Sequence, residues 1–499
     1  MKRLLERAHR MIAIKSVSAD GNEELSNYVS VLMKNTGMKV SVQQVMHSLG
    51  DISKRQYNVL GILGDTLVDV KTRKGLLLTT HLDTLGPGIL EQWTETGGNP
   101  IQAMVKDDRI YGLGSADAKL DFLCKLSAIQ KFREKKLRQP IYLAGTCGEE
   151  IGMFGARYLL QSLALNPQYV LVGKPTGLKI VHKHKSMDLF KVSIGYQIIE
   201  RGARGFNRRV TLFATGRASH SGYPTERGGK GIHSIDGLMK FVQKAIDNGF
   251  DIKFTRLEGG DAVNQTPDWA QAEFYLTSHQ LEDFKRFFRE AAAPERGEFG
   301  GVTFKITLGG LGDVGIRFHT ENLFPALQDL FEAYRELQRS LTIQQDDTFD
   351  VPTATVSMNQ MRQGMGETWL MLETRCLPGV VQTDLKEQVK KFTQQVATKY
   401  PALNIRVQHE RSNPALKVAD DSEFVALCGE VMEAADIMPN LDRVSMSSEA
   451  GHFTAKDYPT LVFGPGSPME IHGPNEFNSI SELQKAVLFY EKMIEKVCL

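Results

Sequence analysis

Six polar residues scattered along the chain offer the donor groups of a hydrolytic metal site. They are His81 and Asp83 in LLLTTHLDT, Asp117 in YGLGSADAK, Glu149 and Glu150 in LAGTCGEEIG, and His472 in MEIHGPNEF. Hydrolysing an amide near neutral pH needs an activated water, a polarised carbonyl and a group that moves protons. A divalent ion held by imidazole and carboxylate, with one position open, supplies the first two. A carboxylate beside it supplies the third. Asp83 lies two residues beyond His81, so at the end of an extended strand both side chains point to one face. From there a carboxylate can accept the second ring N–H of the histidine and fix its tautomer. Adjacent acids such as Glu149 and Glu150 suit a division of labour, one binding metal and the other carrying protons. Singly the pieces are unspecific: an HxD also reads as a solvated or capping pair, and paired glutamates suit helix N-termini, where the macrodipole favours them. Their common placement where strands end joins them into one site.

The elements that must position these groups alternate along the first part of the chain. Leu4, Leu5, Ala8, Met11 and Ile12 have helical spacing, as do Leu25, Tyr28, Val29, Leu32 and Met33. Strand-like runs follow at 58–63 and 76–80, a helix after Asp117 carrying Phe122, Leu126 and Ile129, a strand at 141–144, a helix from Phe154 to Leu160, and a strand at 169–172. Apolar strands alternating with helices predict an α/β fold whose mixed, largely parallel sheet is covered by helices on both faces. Near residue 186 the pattern changes to one-sided strands at 190–194 and 209–213, a helix from Gly231 to Ile246, and strands around Phe254 and Phe274. A long excursion from Thr277 to Asp350 holds a helix at Leu327–Leu337 after Pro325, a residue suited to a first turn. Strand, helix and strand follow over 369–407, and α/β character returns after about residue 410 with helices near Phe424–Ala434 and from Ser481, and a strand at 460–463. The expected organisation is a discontinuous catalytic domain, 1–186 with 411–499. It is interrupted by an inserted α+β lid or dimerisation domain, 187–410, enlarged around 277–350.

Composition excludes several classes. A chain of 499 residues is too long for one hydrophobic core. Sixty basic and fifty-nine acidic residues leave a net charge of +1, which provides no footprint for nucleic acid or an anionic membrane. Five cysteines, odd in number and without a CxxC spacing, predict reduced, mostly buried thiols and no disulfide framework. Glu6, Arg7, His9 and Arg10 interrupt the apolar residues of the N-terminus. A secretory signal needs an unbroken apolar run there, so the expected location is cytoplasmic.

The stretches HLDT, IYGLGSADAK, GTCGEEIGMFGA, VGKPTGLKIVHKHK, GRASHSGYP, LEGGDAVNQTPDWA, TRCLPG and IHGPNEF occur in an order that spans nearly the whole chain. In this the sequence resembles the zinc-dependent aminoacylase and carboxypeptidase family that includes acetylornithine deacetylase, succinyl-diaminopimelate desuccinylase and glutamate carboxypeptidase. The resemblance implies a zinc site of one or two divalent ions and a substrate that is a small peptide or N-acyl amino acid. It implies that His81 binds one ion with Asp83 orienting it, that Asp117 bridges, and that Glu150 and His472 bind the other ion. Glu149 would be the general acid/base. His220 would reach the scissile carbonyl from the inserted domain, in a possible homodimer from the partner subunit. Asn264 and Arg375 would hold substrate, the planar fork of Arg375 suiting a carboxylate. In their own right Asn264 also reads as a turn residue and Arg375 as a partner of Glu373.

The chain departs from the pattern in a small way after Asp117, where Ala118-Lys119-Leu120-Asp121 stands in place of a methionine followed by glycines, and in a larger way at one position. Where the family carries a glutamate or aspartate after Gly173, this chain has Lys174. A protonated lysine ~4 Å from a divalent ion is repelled by roughly 8 kcal/mol at an effective dielectric near 20. Deprotonating it at pH 7 costs roughly 4–5 kcal/mol. Two expectations follow: a hydrolase with one ion on Asp117, Glu150 and His472, or a non-catalytic family member that acts in binding or assembly.

Overall fold

The computed structural model describes residues 2–46, 55–64, 74–162, 166–200, 205–219, 221–222, 231–293, 298–309, 317–318 and 322–499. The chain divides into two units, Met1–His184 with Asn413–Leu499, and Lys185–Ser412.

The first unit is built on a nine-stranded sheet. At its centre Ile141–Thr146, Gly75–His81, Pro167–Gly173 and Thr460–Val462 lie side by side and parallel. Antiparallel strands flank them, Gln56–Leu63 and Lys39–Val45 on one side and Ile180–His184 and Leu416–Lys417 on the other. Parallel pairing is thus confined to the middle, apart from Leu441–Val444, which runs parallel to Ile180–His184. The central strands are buried along nearly their whole length because both faces are covered. Leu76, Leu78, Ile141, Leu143 and Leu171 pack into one core with the helices Lys2–Ala13, Lys119–Gln130 and Ile480–Cys498, while Leu77, Tyr142, Val170 and Val172 pack with Ala156, Leu159 and Phe453 on the other face. Alternate residues of a strand point to opposite faces, so each strand feeds both cores.

The second unit holds an eight-stranded antiparallel sheet of nested construction. An outer set runs strand Met187–Gly195, helix Leu323–Leu341, strands Thr355–Gly364 and Glu367–Arg375, helix Gln382–Lys399 and strand Asn404–Asn413. Between its first strand and first helix sits a second set: strand Phe206–Thr215, helix Ser234–Asp247, strands Lys253–Gly259 and Trp269–Thr277, helix Ser278–Ala291 and strand Thr303–Gly309. Both sets read strand, helix, strand, strand, helix, strand, and in both the lateral strand order is fourth, first, third, second. They meet through their second strands, which pair antiparallel at Gly259 and Met361. Such an edge-to-edge joint is how two chains often pair, and here both edges belong to one chain. A short ladder between Ile199–Glu200 and Arg317–Phe318 closes the base of the insertion.

The excursion from Thr277 to Asp350 is therefore no appendage. Its helix Ser278–Ala291 and strand Thr303–Gly309 complete the inner set, and Leu323–Leu341 belongs to the outer one. A local signal marks the first helix: Thr277 and Gln280 form a reciprocal capping box, each side chain meeting the other's backbone N–H. Every one of the cysteines is a buried thiol. Among the described residues, no helix is long and apolar enough to cross a membrane.

Candidate metal centre

Parallel strands present their carboxyl ends on one edge, and in open α/β sheets ligands bind outside that edge. His81 is the last residue of its strand. The neighbouring strand ends at Thr146, and Gly148, in a left-handed conformation with φ 63°, turns the chain so that Glu149 and Glu150 open a short helix. The third strand ends at Gly173, and Lys174 follows. Gly173 is required by close approach, since a Cβ there would lie 1.9 Å from Asp121 Oδ2. Beneath it Asp121 is fully buried against Lys125 Nζ at 2.7 Å, Thr80 Oγ1 at 2.6 Å and Tyr490 OH at 2.5 Å. The two charges are compensated within this network and brace the strand ends.

Asp117 and His472 come from loops that one small sheet brings together. Strand Phe477–Ser479 pairs antiparallel with Arg109–Tyr111, which places Glu476 under the loop at 114–117. The Glu476 carboxylate accepts the backbone N–H groups of Gly114 at 3.0 Å, Ala116 at 2.8 Å and Asp117 at 3.0 Å. Burial raises its pKa to about 7 against the lowering effect of these same hydrogen bonds. Lys119 turns inward and donates to the Ile14 carbonyl at 2.9 Å. His472 has φ 61°. That conformation is costly for a residue with a Cβ and recurs where function constrains the backbone.

Around this edge the expected ligands meet. His472 Nε2 is 3.2 Å from Glu150 Oε1 and 3.3 Å from Asp117 Oδ2. His81 Nε2 is 2.8 Å from Asp117 Oδ1. One donor atom each from Asp117, Glu150 and His472 lie within 4.8 Å of one another, as do those of His81, Glu149 and Glu150. Asp83 takes up a different task from accepting the ring N–H. The Nδ1 of His81 is 3.1 Å from the Asp83 main-chain oxygen and 3.7 Å from its carboxylate. The carboxylate instead accepts Ser18 Oγ at 2.5 Å and the backbone N–H groups of Glu149 and Glu150 at 3.2 and 3.3 Å. It holds the glutamate turn against the histidine strand.

Lys174 reaches into the centre of the cluster. Its Nζ lies 2.8 and 2.9 Å from the two Asp117 oxygens, 3.1 Å from His81 Nε2 and 3.5 Å from Glu149 Oε1. Burial alone would lower its pKa, but Asp117, Glu149 and Glu150 overcome this and hold the ammonium above the ordinary lysine range. Asp117 is correspondingly well below the carboxylate range: burial opposes this, and Lys174 and His81 outweigh it. Glu149 is raised, chiefly by burial, with Lys174 and His81 acting the other way. Burial lowers His472 less than Glu150 and Asp117 raise it, to about 10. Asp117, Glu150 and His472 together offer the donors of a divalent ion. The Lys174 ammonium lies among the donors of His81 and Asp117.

The remaining expected residues belong to the second unit. Arg375 is buried, with Nη2 2.6 Å from Glu373 Oε1. The Asn264 carbonyl oxygen accepts the Ser221 N–H at 3.1 Å. His220 lies outside the described residues. Two acids near the metal centre escape sequence reasoning. One is Glu476; its stretch NEF carries no sign that the acid is buried. The other is Glu449, whose Oε2 accepts Thr146 Oγ1 at 3.0 Å. Burial raises Glu449 to about 7, with His81 pulling it down. The only sequence signal was an acid, in SSEAGHF, opening a short helix.

Removing charge from Glu476 tests the loop's support. Glu476→Gln keeps the shape but weakens three hydrogen bonds to the Asp117 loop. Outer partners of this kind are worth about 10–100-fold in metal affinity. A drop of that order in zinc affinity, with little change in melting temperature, is expected from competitive chelator titration.

A parallel-centred sheet thus delivers imidazole and carboxylates, the donors of a divalent metal site, to its carboxyl edge. The chain belongs to peptidase family M20/M25/M40, whose model matches residues 77–496. It is 28% identical over 324 residues to acetylornithine deacetylase of Photorhabdus laumondii, covering 60% of this chain and 74% of that one. It is 31% identical over 322 residues to acetylornithine deacetylase of Proteus mirabilis, covering 60% and 73%. Among solved structures, aminoacylhistidine dipeptidase of Vibrio alginolyticus shares the fold with a TM-score of 0.62 at 16% identity, over 99% of this chain and 96% of that one. The metallo-carboxypeptidase Sso-CP2 of Sulfolobus solfataricus does so with 0.58 at 17% identity, over 99% of both chains.

Proposed function

We propose that the chain hydrolyses the amide bond of an N-acyl amino acid or small peptide with a single zinc ion, the Lys174 ammonium standing at the place of a second. The observation that carries this is the position of Lys174 Nζ, within hydrogen-bonding distance of both Asp117 oxygens and of His81 Nε2. Asp117, Glu150 and His472 would hold the ion; carboxylate and imidazole donors suit zinc. When bound, the ion supplies Lewis acidity and a lowered pKa for water.

Glu149 takes the proton released from water and returns it to the leaving nitrogen. Its burial raises its pKa, which favours a group that takes up and passes on a proton. Asp83 keeps Glu149 and Glu150 in register with His81 through its hydrogen bonds to their N–H groups. Lys174 contributes a fixed positive charge, 3.5 Å from Glu149, that can polarise a substrate carbonyl. Toward substrate, we assign His220 and Asn264 to polar contacts and Arg375 to a carboxylate, on the strength of their sequence motifs. Elemental analysis of wild-type protein purified without chelator is expected to find one zinc per chain, with activity that follows its removal and return. Two ions per chain would overturn the single-ion assignment. No ion and no turnover would make the chain a non-catalytic binding member of its family.

A further inference from the structure

Beside the metal centre, within the first unit, a cavity of about 250 Å³ opens at the end of the Pro167–Gly173 strand. Val181, Val444, Met446, Val462 and Met469 supply its apolar walls. It adjoins the site through Lys174, which lines it while placing its Nζ 2.8 Å from Asp117. Cavities that enclose a whole drug-sized ligand measure roughly 300–1,000 Å³, so this one suits a single side chain or short acyl chain. Its charged groups are already paired, Lys174 with Asp117. Lys174 and Lys179 both line it, and among the described residues its one carboxylate, Asp442, is already paired with Lys179 Nζ at 2.9 Å.

We infer that this pocket receives an uncharged apolar chain attached next to the scissile amide, and that it disfavours a cationic side chain such as that of ornithine. The inference rests on the hydrolytic assignment above and names its substrate class. An ammonium entering the pocket would lose its water and find no unpaired carboxylate among the described lining residues. An aliphatic or thioether chain would exchange water for valine and methionine surface, including the methyl group of Met469, which is 80% exposed at the rim. The apolar chain could lie on the amine side or the acyl side of the amide, and different probes separate the two.

Calorimetric binding to zinc-loaded wild-type protein would be measured for N-acetyl-L-methionine, N-hexanoylglycine and N-acetyl-L-ornithine, with turnover recorded separately. At least one apolar probe is expected to bind tenfold or more tightly than the ornithine derivative, within the about 10–200-fold that one chain in an apolar pocket commands. Whichever of the two binds more tightly places the pocket on the amine or the acyl side. Val444→Asp, and the rim variant Met469→Glu, which changes an exposed position and leaves the core intact, are each expected to shrink that preference several-fold. Equal or tighter binding of N-acetyl-L-ornithine overturns the inference, as do absence of binding by all three probes and an unchanged preference in both variants. An apolar preference in binding without turnover of any probe would support the pocket and overturn the hydrolytic assignment. Turnover with a preference for ornithine would do the reverse.

Discussion

Exchanging Glu149 for glutamine is expected to lower kcat by about 10²–10⁴-fold, the range over which a positioned proton carrier acts. The substitution keeps the size of the side chain and removes its ability to take a proton. The group stands 3.5 Å from Lys174 Nζ, and its backbone N–H is held by Asp83. Neither partner is a core packing contact, so the fold should survive. The ion's carboxylates, Asp117 and Glu150, are untouched, so zinc content should stay at the wild-type level. Measuring kcat, zinc content and melting temperature on one preparation separates loss of chemistry from loss of structure. Hydrolysis at the wild-type rate by this variant would remove Glu149 from the mechanism.

The second large effect concerns Lys174. Changing it to glutamate replaces an ammonium by a carboxylate among His81, Asp117 and Glu149. The roughly 8 kcal/mol by which a lysine repels a divalent ion ~4 Å away would vanish, and a new oxygen donor would take its place. Zinc content is expected to rise from one to two ions per chain, measured by elemental analysis and located by anomalous scattering. Without metal the variant should be less stable, since breaking a buried ion pair costs about 3–5 kcal/mol. Zinc should restore the melting temperature, and hydrolysis should rise with it. If the wild type already holds two ions with Lys174 turned away, the single-ion assignment falls. A variant that binds none would show that the loss of metal runs deeper than this residue.

What could be seen from the sequence were features with a local cause. The strands at 76–80, 141–144 and 169–172 were legible because a strand buried on both faces is apolar without interruption. The helix carrying Phe122, Leu126 and Ile129 was legible from its period. His81, Glu149 and Lys174 could be placed at strand ends because each follows such a run. The sequence also determined which charge sits at position 174, and thereby that a second cation would be opposed.

Tertiary structure alone decided where that charge goes and which acids are buried. Asp121, Glu449 and Glu476 look like any other acids in the chain; only packing from distant segments desolvates them and supplies Tyr490, Thr146 and the loop at 114–117 as their partners. The partner of His81 Nδ1 is a carbonyl rather than the neighbouring carboxylate, a choice of a few tenths of an ångström that depends on how the Glu149–Glu150 turn docks. The nesting of one six-element set inside another was hidden for a related reason. Strand periodicity is local, whereas lateral strand order and the joint at Gly259 and Met361 are set by pairings between residues about a hundred positions apart.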